Sequence, residues 1–302
     1  MTTILTSLLD ESRNFITPHP SGLIEARYVR RSEDYFIVYL SSQSGCAQGC
    51  RFCHLTQTAQ TNAVDLTLDE IFAQADEVLD FYDALNAPAT EVHFNFMARG
   101  EPLVNHYILA DGDRLVAGLY ARAAARRLVP SVKFSTILPA SIFKPDGPRL
   151  VDVFPTTAPD IYFSLYSLDP AFRRRWLPRA CDPRFGLELL ADWQRTARKI
   201  PVLHWAFIAG ENDQEASIAA VCDAVLDAGL RVDVNIVRYN PYSDAQGKEP
   251  EPEVVQARVE QLAAALPGAR IKVVTRVGFD VAASCGMFVG GRRPVIEFEI
   301  EP

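Results

Sequence analysis

From residue 35 onward the spacing of apolar positions switches repeatedly between a strand period and a helix period. Tyr35–Leu40 is a short β-rich run. Thr67-Leu-Asp-Glu70 is a capping box that opens an amphipathic pattern reaching about Leu85. Glu91–Met97 (EVHFNFM) reads as a strand, about Asp113 to Arg127 as a helix and Ser131–Ser135 as a strand. Ile161–Tyr166 and Val202–Ile208 are further strands, with a helix over Leu187–Arg198 between them. Ala216–Ala228 is a helix stopped at Gly229, Arg231–Tyr239 a strand stopped at Asn240-Pro241, Val254–Leu266 a helix and Ile271–Arg276 a last strand. Strands separated by helices predict an α/β chain with a parallel sheet and right-handed crossovers. About six such units predict a partial (β/α)6 barrel. Residues 1–30 form a short N-terminal extension in this division, and residues 31–302 the barrel core with its C-terminal segment.

Composition adds limits. The 302 residues are 48% apolar and 23% charged, enough for a sizeable core. No apolar run reaches the ~18 residues of a membrane helix, and the opening MTTILTSLLDESRNF has no basic n-region, so no membrane partner and no secretory signal are expected. The net charge of −8 argues against a large nucleic-acid footprint, although Arg126-Arg127, Arg173-Arg174-Arg175 with Arg179, and Arg292-Arg293 are local basic stretches. Three of the six cysteines are clustered, which is no disulfide framework and suits a reducing cytoplasm. Cys181 and Cys222 read as structural thiols.

The clustered cysteines carry the chemistry. Cys46-Ala-Gln-Gly-Cys50-Arg-Phe-Cys53 has the spacing C-x3-C-x2-C. Short cysteine runs of this kind hold iron–sulfur clusters, and three ligands leave one iron of a [4Fe–4S] cubane open. An open iron is what reductive cleavage of S-adenosylmethionine (SAM) requires. A structural zinc site using His54 is the alternative, disfavoured because Cys53 and His54 are adjacent and structural zinc uses separated ligand pairs. Polar residues recur just past strand ends, where such folds place their chemistry: the cysteine loop, Gly100-Glu101, Ser135, Tyr166 and Asn240.

Further stretches resemble the radical-SAM enzymes, and among them the RlmN/Cfr branch that methylates RNA adenines. Ser41–Cys46 resembles that branch's approach to the cluster, and Met97–Asn105 (MARGEPLVN) its MGMGEPLxN stretch. Phe134-Ser135-Thr136 resembles STSG, and Ser164-Leu165-Tyr166 resembles SLH with tyrosine in place of histidine. Tyr239-Asn240-Pro241, Asp280–Gly286 (DVAASCG) and Ile24-Glu25-Ala26 have counterparts too. The resemblance implies that Cys46, Cys50 and Cys53 bind the cluster and that Phe52 frames the adenine of SAM. It implies that Gly100 admits close backbone approach, that Glu101 accepts from the methionine ammonium, and that Ser135, Ser164, Tyr166 and Asn240 complete the SAM site. As lone residues, the serines and Asn240 are as readily turn or cap residues. Glu25 is a candidate base or substrate ligand. Cys285 matches the cysteine that takes a methyl group from one SAM before a radical generated from a second SAM acts on it. An external flavodoxin- or ferredoxin-like electron donor is implied as well.

Two parts of the branch's pattern are missing. The branch has a second cysteine seven residues before the first cluster ligand; here that position is Tyr39. The N-terminal RNA-binding accessory domain is not expected either. The primary expectation is therefore a radical-SAM enzyme that modifies a nucleobase-like or other small substrate, with nucleic acid or nucleotide as candidate partners. The alternatives are an RNA adenine C-methyltransferase and a non-catalytic SAM- or cluster-binding protein.

Overall fold

The computed structural model describes residues 1–85 and 87–290. Among them, strands follow one another in a single sheet in strict chain order. They are β1 (Thr3–Thr6), β2 (Arg13–His19), β3 (Gly22–Arg30), β4 (Tyr35–Tyr39), β5 (Glu91–Phe96), β6 (Val129–Thr136), β7 (Asp160–Phe163), β8 (Val202–Ala206), β9 (Asp233–Val237) and β10 (Ile271–Val273). Pairs from β1 to β4 are antiparallel, and pairs from β4 to β10 are parallel. The helices are α1 (His54–Gln57), α2 (Leu68–Ala84), α3 (His106–Ala125), α4 (Leu150–Val153), α5 (Pro170–Trp176), α6 (Pro183–Ala197), α7 (Glu215–Asp227) and α8 (Pro252–Ala265). At least one helix stands in each of the six parallel crossovers, so the expected α/β partial barrel is borne out.

Alternation along each strand sorts the two faces of the sheet. Val92, Phe94, Val132, Phe134, Ile161, Phe163, Leu203, Trp205, Val234 and Ile236 are buried in the main core under the helices. The alternate positions (His93, Lys133, Tyr162, Val202, Asn235 and Lys272) line one cavity that touches six successive strands. Only a strongly curved sheet lets six neighbouring strands share a cavity, so these residues face a barrel lumen. That lumen is polar where a closed (β/α) barrel packs apolar layers.

Several boundaries differ from expectation for identifiable reasons. Residues 1–30 fold as three antiparallel strands continuous with the barrel sheet. Their apolar pattern is masked because Glu25 and Arg27, polar positions of β3, are buried. Helix α3 begins seven residues before Asp113. The Asn105 carboxamide caps it, accepting from the backbone N–H groups of Tyr107 (2.9 Å) and Ile108 (3.1 Å). The Asp-Gly-Asp stretch behaves as a kink, with Asp111 at φ −148°, ψ 50°. A Cβ on Gly112 there would come within 2.7 Å of Phe154. β7 stops at Phe163, and Tyr166 turns the chain in the left-handed region at φ 59°. The Thr67–Glu70 capping box is present as expected.

The chain beyond β10 crosses the open side of the barrel. The Asp280 carboxylate accepts from Ser7 Oγ and the Leu8 N–H, both at 2.7 Å, and the Asp10 carboxylate accepts from the Gly278 N–H at 2.7 Å. The segment therefore runs from the β10 edge to the β1–β2 turn. The basic pair Arg292-Arg293 and the last part of the expected 31–302 core lie outside the described residues. No helix of the described residues is long and apolar enough to cross a membrane.

Candidate functional site

The cysteine loop lies between β4 and α1, at the carboxyl ends of the parallel strands. Backbone bonds anchor it on three sides: Cys46 N–H to Gln60 C=O (3.1 Å), Arg51 N–H to Trp176 C=O (3.0 Å) and His54 N–H to Gly286 C=O (2.9 Å). Arg179 donates to the Ala47 carbonyl. Burial pushes the Cys46 thiol up to about 12 and holds Cys50 and Cys53 above their ordinary value. Cys53 raises Cys46 further, and Cys46 and Cys53 both raise Cys50, so the three sulfurs are close enough to repel as thiolates. Such a trio is expensive to ionise without a cationic partner and is suited to a metal group that takes up the charge.

The donor set favours a cluster over a single ion. Among the described residues no three His, Cys, Asp or Glu side chains converge as the ligands of one ion. His54 does not complete a zinc tetrahedron: its Nε2 pairs with the Asn240 carbonyl at 3.0 Å, and burial lowers its pKa. In a cubane each thiolate binds its own iron, so the three sulfurs need not converge on one centre.

Next to the loop lie the expected SAM-site residues. Gly100 has φ +94°, and a Cβ there would meet Ser42 Oγ at 2.6 Å and the Gln43 backbone N at 2.7 Å. The Glu101 carboxylate is buried and accepts from the Leu103 (3.1 Å) and Ile137 (3.0 Å) N–H groups. Burial raises its pKa from 4.5 to about 7, and those hydrogen bonds only partly oppose the rise. A cationic ammonium is the partner that would restore the charge. Ser135 Oγ and Asn240 Oδ1 are buried with no hydrogen-bond partner among the described residues, the signature of a site shaped for a polar ligand. Phe52 and Tyr166 stack with ring centroids 4.5 Å apart and planes 10° apart. Ser164 donates its N–H to the Thr136 carbonyl at 2.8 Å, which ties the ends of β6 and β7.

Cys285 is brought to this site. The Asn240 amide donates to the Cys285 carbonyl (2.9 Å) and to Ser284 Oγ (3.1 Å). Burial pushes the Cys285 thiol up to about 11; Arg27 and Arg31 lower it and Cys53 raises it, and the His54 N–H bond to the Gly286 carbonyl at 2.9 Å ties its segment to the cysteine loop. Cys181 packs beside Gly186 and Phe163, and Cys222 sits on α7; neither is among the groups that act on Cys285. Tyr39 lies on the lumen face, its hydroxyl 3.5 Å from Arg31.

Glu25 sits differently from a free base. It is fully buried, and its carboxylate accepts from Arg27 (3.0 Å), Arg99 Nε (2.9 Å), Asn14 Nδ2 (3.1 Å) and the Val289 N–H (3.0 Å). All its strong acceptor positions are taken, and its place is that of an anchor for two arginines. Arg27 in turn donates to the Met287 carbonyl (2.7 Å) and Arg99 to the Val289 carbonyl (2.8 Å), which pins the Cys285 segment. Sequence reading did not single out Arg27, Arg99 or Asn14. The available signal was Arg27 two residues after Glu25, hence on the same strand face.

No family model matches the chain. It is similar to the dual-specificity RNA methyltransferase RlmN of Desulfosudis oleivorans, 27% identical over 263 residues, covering 84% of this chain and 64% of that protein. It is also similar to the RlmN of a Nitratiruptor species, 26% identical over 268 residues, covering 87% of this chain and 68% of that protein. The chain thus spans about two thirds of the length of the curated relatives it matches. In fold it is similar to a radical SAM methyltransferase from Sphaerobacter thermophilus, with a TM-score of 0.78, 21% identity, and coverage of 96% of this chain and 81% of that one. A weaker likeness links it to HydG, a maturase of the [FeFe]-hydrogenase, with a TM-score of 0.58 and 12% identity over 80% of this chain and 52% of that one. The resemblance expected from the motifs is borne out.

Proposed function

We propose that this chain, RlmN/Cfr-like in sequence and radical-SAM in fold, is a transferase that holds a [4Fe–4S] cluster and SAM and modifies a nucleobase-like substrate by radical chemistry. The observation that carries this reading is the meeting of Cys285 with the loop of Cys46, Cys50 and Cys53 at one end of the lumen. When bound, cluster and SAM supply a methyl group and a carbon-centred radical. The chain's own residues do the rest.

Cys46, Cys50 and Cys53 hold the cluster. Glu101 takes the methionine ammonium, Gly100 lets the backbone approach it, and Ser135, Ser164 and Asn240 offer polar atoms to the ribose and carboxylate. Phe52 and Tyr166 supply the aromatic wall. Cys285 receives and carries the one-carbon unit. Its thiol must lose a proton to be nucleophilic, and the positive charges of Arg27 and Arg31 favour the thiolate against burial. Glu25 acts as a positioning residue: it orients Arg27 and Arg99, which hold the Cys285 segment. An external flavodoxin- or ferredoxin-like donor supplies the electron. A reducing cytoplasm suits a chain whose six cysteines are all free of disulfides.

A second reading takes the substrate as an adenine of RNA, because the curated relatives are named RNA methyltransferases. Tyr39 is the difficulty for it: a phenol cannot form the disulfide that would release a crosslinked product. One experiment addresses both readings. Anaerobically reconstituted, reduced protein is given SAM and assayed for 5′-deoxyadenosine, and the peptide containing Cys285 is mapped by mass spectrometry. Formation of 5′-deoxyadenosine with a methylated Cys285 is the expected result; absence of 5′-deoxyadenosine from cluster-loaded protein overturns the enzymatic proposal. Nucleoside mass spectra of RNA from cells expressing the protein then test the second reading.

A further inference from the structure

Below the site, toward the amino ends of the strands, the lumen opens into a cavity of about 390 Å³ that the chemistry above leaves unused. Its size falls within the roughly 300–1,000 Å³ of small-molecule sites. Its charges are unbalanced in a particular way. Asp160 is neutralised by Lys199 at 3.1 Å, and Asp233 by Arg270, whose Nε donates at 2.9 Å. Lys133 and Lys272, which also line the cavity, have no carboxylate within 4.0 Å among the described residues. Lys133 Nζ instead donates to His93 Nδ1 at 3.1 Å and lies 5.9 Å from the Tyr162 ring centroid. His93 in turn pairs through Nε2 with Glu91 at 3.2 Å, an arrangement that requires a neutral imidazole. Burial lowers His93 to about 4 and Lys133 to about 8; Asp160 and Glu91 oppose the Lys133 shift, and Lys272 and Arg31 add to it. Two lysines without a carboxylate partner therefore share one hollow in a chain of net charge −8.

The walls carry a second, independent sign of a ligand. Ser131 Oγ, on the cavity, is buried without a hydrogen-bond partner. One layer further in on the same strand faces, Asn95 Oδ1 and His204 Nδ1 are buried and equally unpartnered, on residues 7% and 4% exposed. Native structures rarely leave such atoms orphaned unless something else completes them.

We propose that this cavity is the substrate pocket and that it binds a small phosphomonoester of nucleotide size. Lys133 and Lys272 take the phosphate, and Ser131 contacts the remainder. A phosphomonoester carries about −1.5 to −2 charge at neutral pH, which matches two unpaired lysines better than a single carboxylate does. Polymeric RNA would need a basic outer surface as well, and the chain is acidic.

The inference rests on the radical-SAM reading for the word substrate, but the site can be tested without turnover. Inorganic phosphate, AMP, adenosine and a short adenine-containing RNA hairpin are titrated calorimetrically into the full, cluster-loaded protein. Lys133→Gln and the more exposed Lys272→Gln are titrated in parallel, with SAM affinity as the control for folding. The expected result is AMP binding at least tenfold tighter than adenosine, competition by phosphate, and a tenfold or greater loss in either variant with SAM affinity unchanged. Equal binding of AMP and adenosine, no lysine-dependent binding of phosphate or AMP, or binding of the hairpin alone overturns the proposal. Formation of 5′-deoxyadenosine is scored separately, so a protein that cleaves SAM but ignores phosphate sinks the pocket alone, and the converse sinks the enzymatic reading alone.

Discussion

Glu101 shows at the residue scale what burying a carboxylate with no cation beside it costs the protein. Its folded pKa is raised from 4.5 to about 7, so between those pH values the folded protein holds a proton that the unfolded chain has released. Its contribution to stability is therefore fully present below pH 4.5 and declines as pH rises toward 7. The full decline is on the order of 3 kcal/mol. Glu101→Gln removes that dependence: in thermal melts of ligand-free protein the variant should gain on the wild type from pH 5 to pH 7.5. A wild type that gains on the variant instead would mean a carboxylate already paired. The same substitution should weaken SAM binding at least tenfold, since a hydrogen bond to a charged group contributes about 1.5–3 kcal/mol. Glu101 was legible in the sequence because it sits in a contiguous motif beside Gly100. Glu25 was legible only as a position. Its partners Asn14, Arg27, Arg99 and Val289 are scattered across the chain, and no local pattern announces that a carboxylate on an apolar strand will be saturated by them.

At the scale of elements, the loop after β5 depends on one side chain. Asn105 caps α3 with its carbonyl oxygen, while its amide donates to the carbonyls of Ser42 (2.7 Å) and Leu66 (2.8 Å). It thus joins a helix start to the two segments flanking the cysteine loop. Asn105→Ala should cost about 3 kcal/mol, combining a lost cap with buried carbonyls left unsatisfied, as read by denaturant unfolding. A loss near 1 kcal/mol would mean that water replaces the amide. Period and punctuation in the sequence announced the parallel strands and most helices, because each buries an apolar face against its neighbour. The shortest helices and the first three strands escaped, the former for want of a full period. The latter escaped because β3 turns charged residues inward, where the buried charges pair with each other. The lumen was hidden for a related reason: alternation of polar and apolar residues reads as a strand with one wet face, and nothing in it says that the wet face is concave.

The whole molecule is an open sheet whose ends are bridged by the segment after β10. Glu25 is the knot of that bridge, between β3, the loop after β5 and the Cys285 segment. Glu25→Ala leaves two buried guanidinium groups without a counter-charge and should cost about 3–5 kcal/mol. Hydrogen exchange should show the loss of protection concentrated at residues 281–289; unchanged protection there would mean that Asn240 and Asp280 hold the segment alone. The position of the bridge in the chain has a consequence for how the protein is made. The cysteine loop leaves the ribosome long before residue 285 does, by roughly ten seconds or more at ~5–20 residues per second. Throughout that interval the barrel is without its closing segment, and the three thiols can be reached by whatever delivers iron and sulfide. Cofactor insertion during synthesis, before the final segment arrives, is the order of assembly to which this architecture lends itself.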